Sequence, residues 1–121
     1  MKPRIIIFIS IALISMLGNA AFAHAFLDHA EPRVGSEIGS SPGEVKAWFT
    51  QHLEVAFSKL EVFDVDGKEV DNKDVHLDPG DPGILIVTLP KLPPGIYKVS
   101  WHVVSVDTHH THGDFKFTIK P

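Results

Sequence analysis

The chain has 121 residues, with 11 Lys and Arg against 15 Asp and Glu, eight His and no Cys. A net charge of −4 argues against nucleic acid or an anionic membrane surface as partner. Without cysteine there is no disulfide and no thiolate metal site, so a packed core must hold the fold.

The first residues read as an export signal. Lys2 and Arg4 precede an apolar run from Ile5 to Leu17, broken only by Ser10 and Ser15. Ala21-Phe22-Ala23 then has the small-x-small pattern cut by signal peptidase. The run is shorter than the roughly 20 apolar residues of a membrane span, and a cleavage site follows it. Removal of residues 1–23 is therefore expected, with export to the periplasm and no stable membrane insertion afterwards. The remaining 24–121 is one domain's worth of chain. It keeps nine Lys and Arg against fifteen Asp and Glu, a net charge of −6. It also loses Met1 and Met16, the only methionines, so no sulfur ligand remains.

From residue 24 to Ile38, scattered apolar residues around Pro32 and Gly35 suggest a short edge strand broken near the proline, which cannot donate to a ladder. Gly39 to Gly43 is a turn by composition. Val45, Ala47 and Phe49 alternate with Lys46 and Trp48, predicting a strand with one wet and one dry face. Residues 51–56 are ambiguous, with a turn between strands as the reading on offer. Lys59 to Val65 reads as a further strand, and Val65-Asp66-Gly67-Lys68 as a hairpin turn. Asn72 to Gly83 reads as a polar loop with two Asp-Pro-Gly triplets. Ile84 to Leu89 is continuous and β-branched enough for a buried strand, and Pro93-Pro94-Gly95 closes another turn. A long alternating strand, Ile96 to Val106, then enters a histidine-rich loop, and Phe115 to Ile119 forms the closing strand. Six or seven short strands at about ten-residue spacing predict a single all-β domain, an immunoglobulin-like antiparallel β-sandwich of Greek-key type. Tyr97, Val99, Trp101 and Val103 share one strand face. With Phe49, Leu85, Phe115, Phe117 and Ile119 they are expected to supply most of the core, and both tryptophans are read as core.

The chemistry concentrates in the loop, where Asp107, His109, His110 and His112 fall within six positions. Asp107 and His109 are two apart at a strand end, so both can face one side. Cleavage after Ala23 makes His24 the first residue. Its free amine and its own imidazole Nδ1 can then close a six-membered chelate, since the amine proton (pKa about 7.7–8.0) is readily displaced by a strongly binding metal. Together these give three nitrogens and one oxygen, a set that suits tetragonal Cu(II). His110 is expected to point away. His112 is a candidate additional ligand, a donor to the ligands, or a lid. His102 is expected in a hydrogen-bonded structural role, His29 in a turn, and His52 and His76 in solvent, with Asp28 and Asp114 as turn or rim residues.

The run Trp-His-Val-Val-Ser-Val-Asp-Thr-His at 101–109, followed by Gly-Asp-Phe-Lys-Phe-Thr-Ile at 113–119, resembles the closing strands of the CopC-type copper-resistance proteins. His-Ala-Phe-Leu-Asp-His-Ala-Glu-Pro at 24–32 is similar to their mature start, and Leu92-Pro93-Pro94-Gly95-Ile96-Tyr97 also fits. The resemblance implies a small periplasmic β-sandwich that binds copper for tolerance or supply. It implies Cu(II) ligands at His24, Asp107 and His109. Lacking a methionine-rich loop, the chain resembles the branch that binds Cu(II) only.

The expected function is thus a non-enzymatic periplasmic Cu(II)-binding protein that sequesters copper or passes it to a membrane transporter on a separate chain. A small copper-dependent oxidative enzyme of the lytic polysaccharide monooxygenase type would share the N-terminal histidine chelate. However, the domain is small for a flat aromatic substrate face, and Asp107 would fill a position that oxygen chemistry wants open. A plain immunoglobulin-like scaffold would bind no Cu(II) tightly.

Overall fold

The structure is a computed structural model that describes residues 25–121. The expected signal peptide, residues 1–23, and His24 lie outside the described residues. Eight strands form two four-stranded sheets: β1 (Leu27–Glu31), β2 (Glu37–Ile38), β3 (Glu44–Phe49), β4 (Lys59–Phe63), β5 (His76–Asp78), β6 (Asp81–Thr88), β7 (Gly95–Val104) and β8 (His110–Ile119). One sheet has the order β1-β3-β6-β5, the other β2-β8-β7-β4. Every pairing is antiparallel except β2 with β8. Only β5–β6 and β7–β8 are consecutive within one sheet; every other connection crosses between sheets, as in an immunoglobulin-like Greek-key sandwich.

The two inner faces interdigitate as the alternation predicts. Val45, Ala47 and Phe49 of β3 and Leu85 and Val87 of β6 meet Leu60 and Val62 of β4. Tyr97, Val99, Trp101 and Val103 of β7 and Phe115, Phe117 and Ile119 of β8 complete the packing. Tyr97 stacks on Phe117 at 5.5 Å, and Phe49 meets Trp101 edge-on at 5.2 Å. Each large apolar side chain so buried contributes about 1.5–3 kcal/mol, enough in number to replace disulfides. β6 lacks alternation because both its faces are covered. Ile84 and Ile86 on the outer side are buried too, in register with Trp48 on one and with Lys46 and His76 on the other.

Four expectations are corrected. The segment around Pro32 is two strands rather than one broken edge, and β1 and β2 lie in different sheets. The polar loop 72–83 contains β5 and the start of β6. Its first Asp-Pro-Gly triplet makes the turn of a hairpin, with Asp78 Oδ2 accepting from Gly80 N at 2.9 Å. β8 begins at His110, five residues before the apolar alternation starts, because its first inward positions are Thr111 and Gly113. Gly113 is small for a physical reason: a Cβ there would come within 2.6 Å of Trp101 Cζ2. Finally, Trp48 is not core. It lies half-buried on the outer face of its sheet, stacked with His29 at 4.3 Å.

Candidate metal centre

The centre forms where β7 ends. Segment 52–58 runs along this end. Val106 N donates to His52 O at 3.0 Å, Glu54 N donates to Val104 O at 2.8 Å, and Ser58 Oγ accepts from Val104 N at 3.1 Å. So braced, the chain turns sharply through Val106, Asp107 and Thr108 into β8. Thr108 has φ 68°, a conformation that β-branched residues avoid. Two bonds hold it there: Thr108 N to Ser105 O at 2.8 Å, and Thr108 Oγ1 to Asp107 O at 2.6 Å.

That turn sets Asp107 and His109 side by side, with His109 Nδ1 3.2 Å from Asp107 Oδ2 and both side chains about half exposed. The strand-end extended geometry expected from spacing is absent; the left-handed Thr108 brings the pair together instead. Ser105, which the sequence reading passed over, is the anchor. It is fully buried, its hydroxyl donates to Asp107 Oδ1 and accepts from His109 N at 3.3 Å, and its amide donates to His109 O at 3.0 Å. The hydroxyl bond is the main cause that holds the Asp107 carboxyl below the usual carboxylate range, with His109 adding to it against some desolvation. A carboxylate that stays ionised beside an imidazole is a ready pair of metal donors.

Thr111 was passed over as well. Its Oγ1 donates to Ala25 O at 2.5 Å, across 86 positions of sequence. Ala25 is fully buried, and Phe26 and Thr50 exchange bonds at 2.9 Å in both directions. The described chain therefore starts at the same end of the sandwich as the Asp107–His109 pair.

The other histidines lie elsewhere. His110 and His112 share one outward face of β8, because side chains on a strand alternate with period two. His112, the candidate additional ligand, is on that outward face. It stands opposite His102, and His102 Nε2 is 3.2 Å from His110 Nδ1. His29 sits on β1 instead of in a turn, bonded through Nδ1 to Asp28 Oδ2 at 2.6 Å. His52, His76 and Asp114 are exposed. Among the described residues, no three His, Asp or Glu side chains converge closely enough as placed to hold an ion.

A model of the CopC domain matches residues 27–120. Protein YobA of Escherichia coli (strain K12) is 31% identical over 113 residues, covering 93% of this chain and 91% of that protein. Copper resistance protein C of Pseudomonas syringae pv. tomato is 34% identical over 120 residues, covering 93% of this chain and 94% of that protein. Among solved structures, CopC from Methylosinus trichosporium OB3b superposes with a TM-score of 0.76 at 33% identity, over 81% of this chain and 95% of that one.

Proposed function

The chain belongs to the CopC domain family, and from that membership we propose that it is a periplasmic copper-binding protein of copper resistance and homeostasis. Its cargo is Cu(II), bound by the amine and imidazole of His24 together with Asp107 and His109. The observation that carries this reading is the bond from Thr111 to Ala25 O, which ties the residue next to His24 to the end of the sandwich bearing the carboxylate–imidazole pair.

The donor chemistry fits a cupric ion. Beyond residue 23 the chain has no thiol and no thioether, so only nitrogen and oxygen donors are offered. Such a set favours Cu(II) over Cu(I), and Cu(II) stands at the top of the divalent affinity order. Ser105 holds Asp107 in place and favours its ionised form, and His109 supplies an imidazole nitrogen. Cleavage after Ala23 exposes the amine. The protein then captures copper without chemical turnover, and either retains it or passes it to a membrane transporter on a separate chain.

Competitive Cu(II) titration of alanine variants tests this. Asp107→Ala and His109→Ala each lose about tenfold or more in affinity, the equal of about 1.4 kcal/mol, and His76→Ala loses nothing. The reverse ranking would place the site elsewhere.

A further inference from the structure

Three histidines apart from the Asp107–His109 pair meet on the outer face of the β2-β8-β7-β4 sheet. His102 of β7 stands directly opposite His112 of β8, and His110 lies two residues back along β8 on the same face. All three are exposed. Directly opposed residues place their Cβ atoms about 4.5–5.5 Å apart. Two steps along a strand span about 6.6–6.8 Å. The backbone alone thus draws a triangle from whose corners three imidazoles rise.

The rings have begun to use it. His102 Nε2 and His110 Nδ1 are 3.2 Å apart with ring planes at 84°. His112 lies beside His102 with ring centroids 6.4 Å apart and planes 23° apart. Two nitrogens bound tetrahedrally at 2.0–2.1 Å to one zinc ion are about 3.3 Å from each other, whereas a square arrangement draws them to about 2.9 Å. The 3.2 Å between these two nitrogens, a hydrogen bond between the rings, lies close to the tetrahedral value.

We propose that His102, His110 and His112 form a second metal site, of zinc type, distinct from the Asp107–His109 pair. His102 and His110 offer the spacing already, and His112 closes the site by turning about its exposed side-chain torsions. Three neutral imidazoles leave a fourth tetrahedral position for water or for a group from another molecule. The rim charges offset each other. Lys59 is in register with His102 on its other side, and Asp114 follows His112 on the same face. No residue of the proposed copper site takes part, so the two readings stand or fall separately.

Calorimetric titration of Zn(II) into the chain beginning at His24, loaded with a single equivalent of Cu(II), is the test. One further equivalent binds, and His102→Asn and His112→Gln each weaken it by about tenfold or more. The electron paramagnetic resonance signal of the bound Cu(II) does not change in either variant. In a copper-free His109→Ala chain the zinc equivalent and its dependence on His102 persist, which keeps the result independent of the copper assignment. Absence of a zinc equivalent, or zinc binding that survives both His102→Asn and His112→Gln, overturns the proposal.

Discussion

Thr111→Val removes one hydroxyl while keeping the side chain's shape, and it isolates the clamp on the start of the domain. In the native protein Thr111 Oγ1 donates to Ala25 O at 2.5 Å, and Ala25 is fully buried. A buried carbonyl stripped of its partner costs about 1–3 kcal/mol. The copper-free variant can avoid that cost by letting its first residues lift into water. Copper binding must then redock them, so the cost appears in the affinity for Cu(II) and barely in the melting temperature. At 1.4 kcal/mol per decade the loss is about 5- to 150-fold. The assay is competition for Cu(II) against a chelator of known strength, with thermal unfolding alongside and Thr111→Ser as the variant that keeps the bond. An affinity within about twofold of the native value would refute the reasoning. So would a large drop in melting temperature with copper affinity intact, since the contact would then be structural alone.

Three further outcomes follow from the same geometry. Ser105→Ala removes the principal donor to Asp107, so the carboxyl titration midpoint, read by carbon-13 resonance in the copper-free protein, rises toward the ordinary range; an unmoved midpoint would contradict that cause. Gly113→Ala forces a methyl against Trp101 and destabilises by about 1–3 kcal/mol, roughly 4–8 °C of melting temperature per kcal/mol in a domain of this size; tryptophan-monitored unfolding reads it directly. Asp74 accepts from Thr88 N at 2.8 Å and Thr88 Oγ1 at 2.5 Å, and these bonds lower its pKa. A depressed folded pKa gives stability that is present above the unfolded value and lost as pH falls through the folded one. Asp74→Ala is therefore less stable than native near neutral pH in urea, and the difference closes in strong acid.

The fold was legible where a single face is buried. β3 and β7 announce themselves because Val45, Ala47 and Phe49, and Tyr97, Val99, Trp101 and Val103, stand at strictly alternating positions, and all of them reach the core. Legibility failed where small or polar residues stand in for apolar ones. The first inward positions of β8 are Thr111 and Gly113, one spent on the clamp and the other on clearance for Trp101. β5 offers only Leu77 between His76 and Asp78, so its turn residues hid the strand beside them. Trp48 reads as core by residue type, yet its parity within β3 puts it on the outer face with His29.

For the site, the pairing of Asp107 with His109 could be read from spacing, although a left-handed Thr108 produces it instead of an extended strand end. The Ser-x-Asp spacing at 105–107 was the signal for Ser105, since a short hydroxyl two residues from a carboxylate favours a local turn bond. No local pattern pointed to Thr111, whose partner lies 86 positions away. The placement of His112 followed from strand parity once β8 was known to begin at His110.

The central claim is best tested on two forms of the chain, one starting at His24 and the other carrying a single extra residue in front of it. Each is titrated with Cu(II) and followed by electron paramagnetic resonance. The first is expected to bind one ion tightly with a tetragonal nitrogen–oxygen signature, and the second to lose most of that affinity with a changed spectrum. Identical spectra and affinities in the two forms would contradict an N-terminal chelate at this end of the sandwich.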